Sequence, residues 1–378
     1  MLHFIHISDS HLGFSDLDIL DEYGKNTREE DTYRAFKDAV DYIIEDKPDF
    51  VIHSGDKFHR SSPSNRALVI ASKQILRITN AGIPFYMIAG NHDFPKSVLT
   101  SPIHDLYTSN DLTHIIYKEK LVIIETDKFI LHLLPHINSE QGFLGEINKI
   151  MINNRKKPNI LSMHLAVSNY AMNEFGERVF PLGKIEILKE FDYVALGHWH
   201  KYNHLQKYGN VFYSGSTERT SESQTGYPKG FIKVLINKET KTEFINLKLR
   251  TYEKIIIDKC YKKTNGEIVN EIKDKLNMIT VAAGIFHIYL NELPALKANE
   301  IPRSVFENIF KDALYFSISK TIKGSGESIE IDSESFDLKE RFLDELKSNF
   351  NPNELTIVSD YAKKIWDEIE EEEANANS

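Results

Sequence analysis

Histidine, aspartate and asparagine side chains stand at the ends of five short apolar segments. Three segments lead into DSH at 9–11, GDKFH at 55–59 and GNHD at 90–93, and two more end at His164 and in GHWH at 197–200. Carboxylates, neutral imidazoles and an amide oxygen are hard to borderline metal ligands. The motifs therefore predict a metal site that contains no thiolate.

The candidate metal ligands share one placement, at the end of an apolar segment. They are Asp9, His11, Asp56, Asn91, His164, His198 and His200. Seven ligands exceed the four of a zinc site but divide between two ions if one carboxylate bridges them. The mixed nitrogen and oxygen set suits Mn²⁺, with Fe or Zn²⁺ as alternatives, better than Mg²⁺ or Ca²⁺. Two such ions, roughly 3.5–4 Å apart, clamp the attacking and leaving oxygens of a phosphoryl displacement and lower the pKa of a bound water.

The segments that precede the first three motifs are expected to be strands of one α/β sheet. Apolar runs lie at 2–8, 50–56 and 84–90. Between them, Thr27 and Glu30 have capping-box spacing and Ser64 can cap a second helix. This alternation predicts a largely parallel, buried sheet. Side chains beyond the carboxyl ends of such strands meet in one place, where ligands bind.

A second group of segments predicts a second sheet. Segments 121–126 and 129–136 should form a hairpin, followed by strands at 159–165 and 193–200. Segments at 211–216, 230–236 and 242–248 are expected to be successive antiparallel strands. Two sheets covered by helices, a four-layer αββα sandwich, are the simplest packing.

Composition narrows the class of protein. The chain has 378 residues, of which 41% are apolar, and no segment approaches the roughly 18 apolar residues of a membrane span. A single cysteine, Cys260, excludes an internal disulfide and a cysteine-based zinc site and fits a reducing compartment. The N-terminus lacks the basic region of a signal peptide. These features predict a cytoplasmic protein without a membrane partner. The net charge of −10 argues only mildly against nucleic acid, because much of it lies in the acidic tail.

The motifs, in this order, resemble those of the calcineurin-like metallophosphoesterase superfamily. Within it, IPFYMIAGNHDFP, FDYVALGHWHK and YSGSTERTSE are similar to the nuclease subunit of the prokaryotic double-strand-break repair complex, the SbcD/Mre type. The superfamily motifs span residues 1 to 217, and the closer resemblance continues more weakly toward the C-terminus.

The resemblance implies a role for each motif residue. One ion would be held by Asp9, His11 and His200. The other would be held by Asn91, His164 and His198, with Asp56 bridging the two.

The remaining motif residues are implied to serve the substrate. His92 would be the general acid, Asp93 would hold its other nitrogen and fix its tautomer, and His59 would contact the substrate phosphate. Lys57 occupies a position that is usually aliphatic in the family. It would either add a cation near the phosphate or point into solvent.

The resemblance also implies a domain organisation. The expected parts are a metallophosphoesterase nuclease domain at 1–250, a smaller α/β capping domain for DNA recognition at 251–325, a linker at 326–334, a helical segment at 335–370 and a disordered acidic tail at 371–378. The C-terminal helices either pack on their own domain or bind a partner, for which the resemblance names an ABC-type, SMC-like coiled-coil ATPase. A homodimer is also implied.

The function that follows is a two-metal DNA nuclease acting on DNA ends in double-strand-break repair. It is expected to be a Mn²⁺-dependent exonuclease with endonuclease activity on single strands or hairpins, associated with the nucleoid when bound to DNA. One alternative is a metallophosphoesterase with a small substrate, either a phosphatase or a cyclic-nucleotide phosphodiesterase. The other is a non-catalytic scaffold on the same fold.

Overall fold

A computed structural model describes most of the chain. The described residues are 1–94, 102–107, 110–152, 154–167, 177–294, 297, 300–323 and the strand at 328–332. The predicted helices at 335–370 and tail at 371–378 lie outside them. The chain divides into two compact units, Met1–Leu249 and Arg250–Ser378.

The first unit alternates strands and helices, as the sequence predicts. Its strands are β1 (Leu2–Ile7), β2 (Phe50–His53), β3 (Phe85–Ile88), β4 (Thr113–Ile116), β5 (Val122–Glu125), β6 (Ile130–Leu134), β7 (Asn159–His164), β8 (Ala166–Val167), β9 (Val179–Phe180), β10 (Tyr193–Gly197), β11 (Asn203–His204), β12 (Val211–Tyr213), β13 (Gly230–Ile236) and β14 (Thr240–Asn246). Its helices are α1 (Thr27–Asp46), α2 (Asn65–Asn80) and α3 (Glu140–Ile147), with a 3₁₀ segment at Leu182–Glu190.

Two six-stranded sheets form from these strands. The first has the order β14-β13-β1-β2-β3-β4, and the second has the order β11-β12-β10-β7-β6-β5. Strands β1 to β4 are parallel, whereas β13 and β14 are antiparallel additions beside β1. The predicted hairpin is confirmed, because β5 pairs antiparallel with β6.

The prediction of three successive antiparallel strands was wrong at its first member. Strand β12, at 211–213, lies in the second sheet and pairs parallel with β10. Only β13 and β14 form the expected antiparallel pair, and they join the first sheet. Residues 214–229 carry the chain from one sheet to the other, a crossing that apolar periodicity does not reveal.

Three apolar layers hold the four-layer sandwich together and confirm the predicted architecture. Phe36 and Ile43 of α1 and Ile75 of α2 pack on one face of the first sheet. Phe50 and Tyr193 belong to the layer between the two sheets. On the outer face of the second sheet, a separate layer includes residues of α3 and of the 3₁₀ segment.

The N-terminal caps decide where the first two helices begin. Ser64 caps α2 as predicted, since its side chain accepts from the Ala67 amide. For α1 the predicted capping box of Thr27 and Glu30 was wrong. Asn26 is the N-cap and accepts from two amides of the first turn, while the Thr27 hydroxyl donates to the Ile19 carbonyl at 2.9 Å. An Asn side chain reaches these amides as well as Thr does, so spacing alone misplaces the cap by one residue.

The second unit is a small α/β module. Its elements are β15 (Tyr252–Ile257), α4 (Asn265–Leu276), β16 (Ile285–Leu293), α5 (Arg303–Ile309), β17 (Tyr315–Ile322) and β18 (Ser328–Asp332). Strands β15 to β17 are parallel, and β18 pairs antiparallel with β17. Strand β18 falls within the linker expected at 326–334. Its sequence, SIEID, has the alternation of a strand.

None of the helices that the structure describes combines the length and the apolar character that a bilayer crossing requires.

Candidate metal centre

The candidate ligands emerge from adjacent strand ends in both sheets. Asp9, Asp56 and Asn91 follow β1, β2 and β3 of the first sheet, while His164 ends β7 and His198 follows β10 of the second. The parallel pairing of these strands brings their carboxyl ends together.

Several of these residues adopt a backbone conformation that side chains seldom take. Asp9, His11, Asp56 and His198 have φ values of 50°, 43°, 53° and 93°. Such residues cost of order 1–3 kcal/mol each, and they concentrate at functional sites. Backbone bonds hold the turns in place, among them Asp9 N to the Gly55 carbonyl at 3.0 Å. The strain therefore directs several side chains into one volume.

A glycine makes room for the central carboxylate. A Cβ on Gly90 would lie 2.1 Å from Asp56 Oδ1. The φ of Gly90 is not positive, so its backbone conformation does not require a glycine. The close approach of the Asp56 carboxylate is what requires one.

The side chains form two groups that share Asp9. In the first, Asp9, His11 and His200 offer donor atoms within 4.8 Å of one another, and the Nε2 atoms of the two histidines are 3.0 Å apart. In the second, Asp9 and Asp56 lie with His164. Asp56 Oδ2 is 3.3 Å from His164 Nε2 and 3.8 Å from His11 Nε2, so one carboxylate oxygen faces both groups.

The remaining two candidate ligands border the second group. Asn91 Oδ1 lies 3.0 Å from His164 Nε2. The rings of His198 and His164 are 5.5 Å apart between centroids. The structure thus brings all seven predicted ligands to one end of the sandwich.

Electrostatics favours a bound cation here. Burial, followed by the neighbouring charge of Asp56, raises the pKa of Asp9 to about 7. Burial lowers the pKa of His11 to about 3. For His164 burial alone would lower the pKa, but the charge of Asp56 and its hydrogen bond outweigh burial and raise the pKa to about 9. Two buried carboxylates beside buried imidazoles form a donor set that divalent cations neutralise, so the residues fit the predicted ions.

His92 and His59 lie together beside the ligands. The His92 amide donates to Asp56 Oδ1 at 2.9 Å, and His92 Nδ1 donates to the His59 carbonyl at 3.0 Å. The rings of His92 and His59 stack with centroids 5.4 Å apart. His92 Nδ1 is therefore fixed as the protonated nitrogen of the neutral ring.

The predicted role of Asp93 as the residue that orients His92 was wrong. Asp93 is fully buried and accepts from the amides of Gly90 at 2.8 Å, Lys57 at 2.8 Å and Phe58 at 3.3 Å. Its carboxylate accepts hydrogen bonds from these three backbone amides, whereas Nδ1 of the His92 ring donates to the His59 carbonyl. Asp93 therefore ties the loop after β2 to the loop after β3.

Lys57 has neither of the two placements predicted for it, near the substrate phosphate or pointing into solvent. Its side chain is fully buried, and its ammonium lies 4.0 Å from the Tyr107 ring centroid and 4.5 Å from that of Phe58. Burial lowers its pKa to about 7. The side chain points into the protein, where the aromatic faces stabilise the cation.

Glu177 belongs to the candidate centre although no sequence motif points to it. Its Oε1 lies 2.7 Å from His198 Nε2, and both side chains are at least 95% buried. A His nitrogen that donates to a carboxylate leaves the other ring nitrogen for a metal. An isolated glutamate in a loop after β8 carries no pattern that could have identified it.

A pocket of about 440 Å³ opens beside the centre. Candidate ligand histidines and the pair His59 and His92 line it. Residues that sequence motifs did not single out line it as well, among them Trp199, Lys201 and Tyr227. The pocket therefore joins the candidate metal centre to a surface of different chemistry.

Comparisons with known proteins show which family and which relatives the chain resembles. The family model for calcineurin-like phosphoesterases matches residues 2–202. The chain is 28% identical over 333 residues to the DNA double-strand break repair protein Mre11 of Methanococcus maripaludis, covering 82% of this chain and 85% of that protein. It is 31% identical over 284 residues to the protein of the same name from Methanocaldococcus jannaschii, covering 71% and 73%. A solved dimetal phosphatase from Danio rerio aligns with a TM-score of 0.40 at 13% identity, covering 64% of this chain and 98% of that one.

Proposed function

The chain belongs to the calcineurin-like phosphoesterase family and is a metal-dependent phosphoester hydrolase, and we propose that its substrate is DNA at double-strand ends. The observation that carries the proposal is the extent of the likeness to archaeal relatives named for double-strand break repair. It reaches 82% of the chain, well beyond residues 2–202 of the phosphoesterase match. A phosphatase or cyclic-nucleotide phosphodiesterase would share only the phosphoesterase part, residues 2–202.

The family implies two divalent ions, and we propose Mn²⁺ for both positions. Asp9, His11 and His200 would hold one ion. Asn91, His164 and His198 would hold the other, with Asp56 between them. When bound, the ions supply an activated water and neutralise charge on the phosphoryl group.

The chain's own residues would complete the hydrolysis. As a hydroxide oxygen bonds to phosphorus, the bond to the departing 3′ oxygen would break, and protonated His92 would give that oxygen its proton. The His59 carbonyl holds His92 Nδ1, so Nε2 is the nitrogen left to deliver the proton. The His59 ring stacks on His92 and lines the pocket, which suits a contact with the substrate phosphate.

Linear duplex DNA with Mn²⁺ tests the proposal. The protein should degrade the duplex, and His92→Ser should abolish cleavage while both ions still bind. His114→Ser is the matched control, because His114 lies on β4 and does not line the pocket. Activity confined to a chromogenic monoester or a cyclic nucleotide would favour the small-substrate alternative. A protein with neither activity nor bound metal would be a scaffold.

Exposed apolar residues on α2 support the proposed homodimer. Val69 is 51% exposed and Leu76 is 47% exposed, seven positions apart on one helix face. Light scattering should give the mass of two chains, and joint replacement of both residues by Lys should give the mass of one. A dimeric mass in that variant would locate the dimer surface elsewhere.

We also propose that the segment at 335–370 binds an ABC-type, SMC-like coiled-coil ATPase. The proposal stands on the apolar spacing of Leu355, Val358, Ala362, Ile365 and Ile369 in the sequence. Deletion of residues 335–378 should leave nuclease activity intact and abolish capture of the ATPase. Unchanged capture would contradict this assignment.

A further inference from the structure

One wall of the pocket has the chemistry of a nucleotide-binding surface. Trp199 and Tyr227 are partly buried aromatic residues that line it, and the exposed Lys201 lines it beside them. The Lys201 ammonium lies 3.9 Å from the Tyr227 ring centroid. Aromatic faces and a cation are the two elements with which proteins bind single strands without reading their sequence.

The size and position of the pocket suit one nucleotide unit. Its volume of about 440 Å³ falls within the range of roughly 300–1,000 Å³ of pockets that enclose small ligands. The same pocket is lined by His11, Asp56 and His92 of the candidate metal centre. A phosphodiester beside those residues would place its attached base and the next phosphate along the aromatic wall.

The wall is fixed to the metal centre by buried hydrogen bonds. Lys229, which is 1% exposed, donates to the His200 carbonyl at 2.8 Å, Ser216 Oγ at 2.7 Å and Gln224 Oε1 at 2.6 Å. The Gln224 amide nitrogen lies 2.9 Å from His200 Nδ1. The loop that carries Tyr227 is thus held against a candidate ligand before substrate arrives, which limits the entropy lost on binding.

We propose that Tyr227 and Trp199 stack on the base of the nucleotide whose phosphodiester is cleaved, and that Lys201 pairs with the adjacent phosphate. This inference rests on the proposed function. It assigns a binding role to three residues outside the metal and acid–base sets. Because every base has a π-face, the wall would accept all four nucleotides with little preference.

The stacking half of the proposal is tested by removing each partner in turn. Cleavage of a short single-stranded thymidylate oligomer is compared with that of an abasic oligomer of the same length. The protein should prefer the strand with bases by about 5- to 150-fold in kcat/KM, the range that base stacking on one or two rings supplies. In Tyr227→Ala this preference should fall markedly, and in Tyr227→Phe, which keeps the ring, it should persist.

Two results would overturn the proposal, and they are distinguishable. An unchanged preference in Tyr227→Ala would overturn the stacking role while leaving the nuclease function in place. If the protein hydrolyses a chromogenic phosphodiester but neither the two strands nor linear duplex DNA, DNA is not the substrate, and the proposed nucleotide contact fails together with the proposed function. Binding of both Mn²⁺ ions by each variant verifies that the metal centre is intact.

The phosphate contact has its own signature in salt dependence. Binding is measured in the His92→Ser variant, which should bind the single-stranded oligomer without cleaving it. In this variant, Lys201→Ala should weaken binding and reduce the slope of log affinity against log salt concentration by about 0.7. Lys207→Ala is the matched control, since Lys207 is exposed and lies over Tyr208 outside the pocket. Equal slopes in Lys201→Ala and Lys207→Ala would overturn the phosphate contact.

Discussion

Replacing Glu177 should weaken the binding of one of the two metal ions and leave the binding of the other unchanged. Its carboxylate lies 2.7 Å from His198 Nε2, and the two side chains are 4% and 5% exposed, so solvent cannot substitute for the bond. The bond keeps the proton on Nε2 and leaves His198 Nδ1 unprotonated. Removing a partner of this kind typically costs 10–100-fold in metal affinity, or about 1.4–2.7 kcal/mol.

Titration of metal-free protein with Mn²⁺ measures the effect. Glu177→Leu should bind the ion assigned to Asn91, His164 and His198 more weakly by about 10–100-fold, while the ion at Asp9, His11 and His200 keeps its affinity. Glu177→Gln retains an acceptor oxygen without the charge, so its loss should be smaller. Glu186→Gln, at an exposed pair with Lys189, is the control.

Activity at rising Mn²⁺ separates a positioning role from a catalytic one. Because Glu177 acts through His198, saturating Mn²⁺ should restore the kcat of Glu177→Gln to near the unmodified value. A kcat that stays low when both ions are bound would contradict the positioning role. Unaltered affinity for both ions in Glu177→Leu would refute the argument from tautomer and burial.

Three further substitutions test local features of the fold. Lys57→Met should stabilise the protein in denaturant titrations, and the gain should be larger at pH 6.5 than at pH 9.5. Burial lowers the pKa of Lys57 in the folded protein to about 7, so between this value and 10.5 the unfolded chain binds more protons than the folded chain. The cost of burying the ammonium therefore decreases as the pH rises through this range. Equal gains at both pH values would contradict this. Gly90→Ala should greatly weaken Mn²⁺ binding, because its Cβ would lie 2.1 Å from Asp56 Oδ1; affinity within twofold of the unmodified protein would refute the steric argument. Asn26→Ala should cost about 1 kcal/mol of unfolding free energy, the usual worth of an N-cap. If Thr27→Ala costs more, the cap assignment is wrong.

Sequence could predict which candidate ligands come together because strand ends are local features. An apolar run followed by Asp, Asn or His is visible in a few residues, and the parallel order of strands implies that such ends meet. The same reasoning predicted the two helices packed on the first sheet. It misplaced the cap of α1 by one residue, because Asn26 and Thr27 both have side chains that can cap.

The errors arose where a side chain had several partners within reach. Asp93 neighbours His92 in sequence, yet its carboxylate turns to three backbone amides. Lys57 follows a candidate ligand in sequence, yet its ammonium lies over aromatic rings. Glu177 meets His198 from 21 positions away. In each case the outcome depends on which groups the folded chain brings close, and sequence spacing does not contain that information.

The division of ligands between two sheets explains why their distances could not be predicted. Asp9, Asp56 and Asn91 come from the first sheet, and the ligand histidines at 164, 198 and 200 come from the second. Their separation is therefore set by the apolar layer between the sheets, which includes Phe50 and Tyr193. Protein interiors are close-packed, so a change of even one methylene in such a layer is felt. The geometry of the candidate centre is thus a property of the whole sandwich, whereas the identity of its candidate ligands is a property of five short motifs.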